Sequence, residues 1–110
     1  MRVVSNTSPI INLSCIGHLE LLHRLYGDIV IPRAVYNEIT RSGTEEPSAI
    51  VVQQLEWINV NEVANRPLVD GLRLEVDAGE AEAIACALEL RADLLLLDEH
   101  LGRVVAQRLG

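Results

Sequence analysis

Four side chains in this sequence have the chemistry of a site for a hard divalent metal ion. They are one amide and three carboxylates: Asn6, Glu38, Glu80 and Asp98. A set of oxygen ligands without histidine or cysteine suits Mg²⁺ or Mn²⁺ better than zinc. Two such ions can activate a water molecule and stabilise the leaving oxygen of a phosphodiester. If the four side chains meet, we expect metal-dependent hydrolysis of a phosphodiester. The same acids are also compatible with a DNA nuclease or a phosphatase, because two-ion chemistry does not fix the substrate.

Each of the four residues also has a purely structural interpretation. Asn6 precedes a predicted helix, so its side chain could simply cap that helix. Glu38 could be a solvated helix residue, and Glu80 could belong to a capping box with Asp77. Asp98 could be a turn residue at the end of a strand. The order and settings of the four residues, rather than any one of them, favour a shared site.

Other polar residues are expected to have structural roles. The three histidines are His18, His23 and His100, and a spacing of five does not place the first two on one helical face. Glu82 lies on roughly the opposite face of the helix from Glu80 and is expected to be solvated. The Thr7 hydroxyl could face the site or cap a helix.

The composition indicates one small globular domain that spans residues 1–110. Of the 110 residues, 49% are hydrophobic and 23% are charged, which fits a single core. Only 3% are aromatic, so extended stacking of nucleic-acid bases on aromatic side chains is not expected. The net charge of −7 argues against a broad basic surface. It does not exclude a nuclease, because bound divalent cations make an acidic site attractive to phosphate.

Cysteine usage and hydropathy indicate a soluble cytoplasmic protein. Cys15 and Cys86 are far apart in sequence and belong to no CxxC pair, so neither a disulfide framework nor a zinc site is indicated. The chain shows no signal-peptide pattern and no apolar run long enough to cross a membrane. We therefore expect no membrane partner.

Hydrophobic patterning alternates between strands and helices, which predicts an α/β fold with a parallel sheet between helices. The predicted strands are Arg2–Ser5, Ile29–Ile31, Trp57–Val60 and Leu94–Leu97, the last covered on both faces. The predicted helices are Ile10–Cys15, His18–Tyr26, Arg33–Thr40, Ser48–Glu56, Ala78–Arg91 and Gly102–Leu109. Loops are predicted at Ser42–Pro47 and Asn61–Pro67.

This arrangement predicts where the four candidate ligands lie. Ligands of open α/β sheets collect outside the carboxyl ends of the strands. Asn6 and Asp98 are the first polar residues after the first and fourth predicted strands. Glu38 and Glu80 lie on helices that adjoin strands, so all four can converge at one edge of the sheet.

Four segments of the chain together resemble the PIN domain family, in the form of a branch close to prokaryotic toxin nucleases. The segments are Val3–Ile11, Ile31–Ile39, Gly79–Ala85, and Leu96–Glu99 followed by Gly102–Arg103. The resemblance implies a three-layer sandwich with a parallel sheet of strand order 3-2-1-4-5. It also implies Mg²⁺- or Mn²⁺-dependent cleavage of single-stranded RNA, often as a toxin paired with an antitoxin. The ligands would be Asn6, Glu38, Glu80 and Asp98.

Asn6 departs from the family pattern, which usually has aspartate at this position. The Asn6 carbonyl oxygen can still bind an ion but adds no negative charge, so a lower ion affinity is expected. The alternative function is therefore a binding or regulatory module that has kept the fold with weak or no catalysis.

The length also departs from the family pattern, because a fifth strand and a closing helix would normally follow. The chain ends at Gly110, so the expected sheet order is 3-2-1-4 with Leu94–Leu97 at an open edge. Because an exposed apolar edge invites pairing with another chain, we expect a homo-oligomer.

Overall fold

The computed structural model describes residues 2–41 and 55–97. The first half contains β1 (Val3–Ser5), α1 (Thr7–Cys15), α2 (Glu20–Tyr26), β2 (Ile29–Pro32) and α3 (Arg33–Arg41). The second half contains β3 (Ile58–Asn61), α4 (Arg66–Leu72), α5 (Ala78–Leu90) and β4 (Leu94–Leu96). Within these two ranges, no helix is both long and apolar enough to cross a membrane.

The four strands form one parallel sheet of order β3-β2-β1-β4. In the centre, Val3 of β1 pairs with Ile29 of β2 on one side and with Leu94 of β4 on the other. Because all four strands run in the same direction, their carboxyl ends lie at one edge. The predicted α/β class and the strand order 3-2-1-4 are confirmed.

Alternation along β1 divides the core into two layers. Val3 packs with Ile10 of α1 and Val35 of α3 on one face of the sheet, whereas Val4 packs with Val69 of α4 on the other. Both valines are completely buried. Successive side chains of a strand point to opposite faces, so each half of the sandwich has its own aliphatic core.

Helix α5 is the most deeply buried helix of the described chain. Its first two turns consist mainly of alanine and other small residues, and every residue from Gly79 to Cys86 is buried. Small side chains allow it to approach β1, β2, α3 and α4 closely. The helix ends at Leu90, one residue before the predicted end, because Arg91 takes the left-handed conformation with a φ of 52°.

Some predicted boundaries are wrong. Helix α4 begins inside the predicted loop Asn61–Pro67, because the Asn65 side chain accepts a hydrogen bond from the Leu68 N–H and caps it. The last two residues of the predicted helix Ser48–Glu56 are not helical, and the rest lie outside the described residues, as does Gly102–Leu109. Strand β4 is half-buried rather than covered on both faces, because it lies at an edge of the described sheet.

The two cysteines differ in their surroundings, which predicts different reactivity. Cys15 is exposed and Cys86 is buried. Burial raises the pKa of the Cys86 thiol from 9.0 to about 11, so the native protein holds little of the reactive thiolate. We expect iodoacetamide to label Cys15 in the native protein and both cysteines in urea, as measured by peptide mass spectrometry. Equal labelling of both in the native protein would contradict the buried position of Cys86.

The same pKa difference predicts how stability changes at high pH. The unfolded chain loses the thiol proton at a lower pH than the folded chain does, so the unfolded state binds fewer protons between the two values. The Cys86 contribution to the free energy of unfolding is therefore complete below pH 9.0 and declines as pH rises towards about 11.

Candidate functional site

Asn6 lies at the carboxyl end of β1, where the sheet edge turns into α1. Its backbone N–H donates to the Leu96 carbonyl oxygen at 3.0 Å, so the carboxyl ends of β1 and β4 are adjacent. Asn6 is buried, with 3% of its surface exposed. Although it occupies the N-cap position of α1, its side chain makes no capping hydrogen bond in the described structure. The purely structural interpretation of Asn6 as a helix cap is therefore not supported.

Thr7 holds the carboxylate of Glu38. The Thr7 hydroxyl Oγ1 donates a hydrogen bond to Glu38 Oε2 over 2.9 Å, joining the start of α1 to the second turn of α3. Thr7 is buried and Glu38 is exposed. A rigid buried donor thus fixes one oxygen of an acid that solvent and ions can reach. This contact assigns Thr7 to the site rather than to a cap alone.

Side-chain oxygens of three residues lie close together above Gly79. An ideal Cβ built on Gly79 would lie 2.6 Å from Glu38 Oε2, 3.5 Å from Asn6 Oδ1 and 3.6 Å from Asp77 Oδ1. Three oxygens from three different segments therefore surround the space above this backbone position. Gly79 and Asp77 were not among the site residues predicted from the sequence. A glycine in the first turn of an otherwise alanine-rich helix was the available signal, since it indicates close approach of another group.

Glu80 is the second residue of the buried part of α5 and directly follows Gly79. Its backbone N–H donates to Asp77 Oδ1 at 2.8 Å, which confirms that Asp77 caps this helix. Only 6% of the surface of Glu80 is exposed. A carboxylate at a helix start is favoured by the helix dipole, and this position places it at the same end of α5 as Gly79.

The donor set that meets at Gly79 has the chemistry of a hard-cation site. An amide oxygen and carboxylate oxygens are the ligands that Mg²⁺ and Mn²⁺ prefer. Asp98, the fourth predicted ligand, lies outside the described residues. Within residues 2–41 and 55–97, no three residues among aspartate, glutamate, histidine and cysteine are grouped closely enough to hold a metal ion. The described geometry brings Asn6 and Glu38 together above Gly79. Glu80 is the residue that follows Gly79 in the chain.

A pocket of about 390 Å³ opens beside these oxygens, between α3 and the start of α5. Its lining residues are Ala34, Asn37, Glu38, Arg41, Asp77, Ala78 and Gly79. The four residues from α3 follow the spacing of one helical face. Glu38 and Gly79 belong to both the pocket and the oxygen cluster. The pocket could not be predicted from the sequence, because it forms between two helices that are far apart in the chain.

Glu82 is buried, so the prediction that it is solvated was wrong. The residue is 8% exposed, and its carboxylate oxygen Oε1 accepts a hydrogen bond from the Ala34 N–H at 3.0 Å. The other oxygen, Oε2, accepts from Arg66 at 3.1 Å. The carboxylate caps the start of α3 from another helix and so fixes α3 against α5. Because α3 carries Glu38, this contact also supports the position of that acid.

We expect replacement of Glu82 by alanine to lower the free energy of unfolding by about 2–3 kcal/mol. The change would leave the partly buried Ala34 N–H without its acceptor and Arg66 without its partner. Glutamine keeps one acceptor oxygen and should retain part of the stability. The matched control is Glu62→Ala, which breaks the exposed ion pair with Arg33 and should change stability by less than about 1 kcal/mol. Equal urea midpoints for both alanine variants would contradict the capping role.

The described histidines make contacts with other groups. His18 lies 3.8 Å from Glu20, and the His23 ring stacks on Trp57 with 5.1 Å between ring centroids. Neither appears among the residues that meet at Gly79. His100 lies outside the described residues.

Comparison with protein families agrees with this fold. A family model described as a PIN domain matches residues 2–110, and the chain belongs to the PIN domain family. Its fold is of the nuclease type, and PIN domains generally use divalent metal ions. No curated protein matches the sequence at a significant level.

Proposed function

We propose that this chain is a Mg²⁺- or Mn²⁺-dependent ribonuclease that cleaves single-stranded RNA. The main observation behind the proposal is that Asn6 Oδ1 and Glu38 Oε2 both lie close to the same point above Gly79. This point is at the carboxyl edge of a parallel sheet. This edge is where open α/β folds bind their ligands. Membership of the PIN domain family supports a nuclease, since the family generally binds RNA.

The proposed ligands are Glu38, Glu80 and Asp98, with Asn6 as a neutral fourth ligand. A bound divalent ion would supply an activated water and would offset the charge of the phosphodiester. Thr7 keeps one Glu38 oxygen in place through its 2.9 Å hydrogen bond. Asn6 is held by its backbone bond to Leu96, so its side chain is anchored at the edge of the sheet. These two contacts support a site in which the Asn6 and Glu38 oxygens are held in place before an ion binds.

The test is cleavage of a short, unstructured, fluorescent RNA by the purified chain, with Mn²⁺ supplied or chelated. Asp98→Ala is run in parallel, with Glu62→Ala as a control that removes an exposed carboxylate paired with Arg33. We expect cleavage that needs Mn²⁺ and is lost in Asp98→Ala but kept in Glu62→Ala. Cleavage that persists in chelator or in Asp98→Ala would contradict the proposal.

A second candidate function is a binding or regulatory module that has kept the PIN fold. It is favoured by the neutral Asn6, which adds no negative charge for a divalent ion. Absence of cleavage in every ion, together with stabilisation of the fold by Mn²⁺, would favour this module. Absence of both effects would favour a protein whose acids are structural.

The partners follow from the same proposal. As a ribonuclease toxin, the chain would act in the cytoplasm and would be neutralised by a cognate antitoxin protein. The half-buried strand β4 at the edge of the described sheet would allow two copies to pair. Light scattering at micromolar concentration tests self-association, and a monodisperse monomer would contradict it.

A further inference from the structure

Arg41 is the only cation among the described residues that line the pocket between α3 and α5. The pocket also contains the acids Glu38 and Asp77. Arg41 is exposed and lies on the α3 face that carries Glu38, one turn further along the helix. A single positive group next to a cluster of acidic oxygens would be expected to pair with one of them.

No ion pair neutralises Arg41 within the described part of the chain. A spacing of three residues would allow a pair with Glu38, but Glu38 Oε2 accepts from Thr7 instead. Two other arginines are occupied, because Arg33 pairs with Glu62 and Arg66 pairs with Glu82. Among residues 2–41 and 55–97, no acid pairs with the Arg41 guanidinium, and none of them prevents it from binding an anionic group that enters the pocket.

We propose that Arg41 binds a phosphate of the RNA strand, next to the phosphate that is cleaved. This inference rests on the proposed function, and it names the group that positions the substrate. A guanidinium presents two parallel N–H donors that match two phosphate oxygens, and it stays charged at any physiological pH. The pocket volume of about 390 Å³ lies within the range of sites that bind small ligands, roughly 300–1,000 Å³.

The charge of the whole chain makes such a local contact more important. The net charge is −7, so the protein as a whole repels RNA and the attraction must come from a few positions. Divalent ions at the oxygen cluster would hold the cleaved phosphate, and Arg41 would hold a neighbouring one. Two points of attachment fix the direction of the strand across the pocket, which a metal site alone does not do. Arg41 is therefore a positioning residue.

The experiment compares Arg41→Ala with Arg24→Ala, which removes the same charge from α2, outside the pocket. Binding of a short fluorescent RNA is measured by polarisation at several salt concentrations, with Ca²⁺ replacing Mn²⁺ to occupy the acidic site. Cleavage in Mn²⁺ is measured separately on the same proteins. We expect Arg41→Ala to weaken binding roughly tenfold and to reduce the salt slope by about 0.7, with Arg24→Ala unchanged.

The outcomes separate this inference from the proposed function. Arg41-dependent binding supports the inference whether or not the chain cleaves RNA. Normal cleavage with equal binding by both variants would overturn the inference and leave the ribonuclease intact. Failure of the unmodified chain to bind RNA would also overturn it. Arg41-dependent binding of a polyglutamate peptide without RNA binding would assign the pocket to an acidic protein partner instead.

Discussion

In a Gly79→Ala variant, we expect the rate of Mn²⁺-dependent RNA cleavage to fall about 100-fold while the fold is kept. The new methyl group would lie 2.6 Å from Glu38 Oε2, well inside contact distance. Glu38 has a flexible side chain, so its carboxylate would move away rather than force the two helices apart. That movement would break the 2.9 Å bond from Thr7 and separate Glu38 from Asn6.

The stability of the variant should stay the same or rise. Alanine is a better helix former than glycine by roughly 0.5–1 kcal/mol, and this gain opposes the small strain of moving Glu38. Loss of function without loss of stability distinguishes a blocked site from a damaged fold. Urea unfolding supplies the stability, and the initial rate of RNA cleavage supplies the function.

Gly71→Ala is the matched control for this experiment. Gly71 also lies within a helix, α4, and a Cβ there would meet no atom within 4 Å in the described structure. Its cleavage rate and the Mn²⁺-induced rise in Tm should match those of the unmodified chain. If Gly79→Ala kept both properties as well, the oxygens around Gly79 would not be the metal site. The Tm shift gives an answer even if the unmodified chain does not cleave RNA.

An Asn6→Asp variant is expected to bind Mn²⁺ at least about tenfold more tightly than the unmodified chain. The two side chains have the same shape, so the change adds a negative charge at a buried position whose amide oxygen already faces Gly79. A divalent ion interacts more strongly with a carboxylate than with a neutral amide. Isothermal titration with Mn²⁺ measures the affinity, and the cleavage assay shows whether activity rises or first appears.

The same variant should be less stable without the ion. Burying an unpaired carboxylate beside Glu38 is unfavourable, so the Tm in chelator should fall and saturating Mn²⁺ should restore it. The control is Asn59→Asp, which adds the same charge at an exposed position of β3. If Asn6→Asp and Asn59→Asp had equal Mn²⁺ affinities, position 6 would not contribute a metal ligand.

Activity in Asn6→Asp also separates the two candidate functions. A ribonuclease that tolerates asparagine would show a higher rate than the unmodified chain. A binding or regulatory module would show cleavage only after the substitution. No cleavage in either protein, with tighter Mn²⁺ binding in the variant, would assign the ion a structural or regulatory role.

The strands and most helices were predictable from the sequence because their signals are local. Short β-branched runs such as Ile29–Ile31 and the leucine run Leu94–Leu97 identified strands within a residue or two. Asp77 identified the start of α5, where its side chain caps the helix. Helix α4 was not predicted, because asparagine is typical of loops as well as of N-caps, and here the Asn65 side chain caps the helix.

The sequence alone predicted the family and, through the resemblance to that family, the strand order 3-2-1-4, and both are confirmed. The chemical type of the site, a set of oxygen ligands for a divalent ion, stays a prediction from the sequence. The sequence identified Asn6 and Glu38 as candidates through their positions after strands and on an amphipathic helix. The tertiary structure decided which of their atoms meet and what surrounds them. The bond from Thr7 to Glu38 and the capping of α3 by Glu82 join residues 31 and 48 positions apart in the chain. The pocket that contains Arg41 likewise forms between two helices that are distant in sequence. Contacts between distant segments depend on how the helices pack against the sheet. Local sequence patterns do not predict such contacts directly.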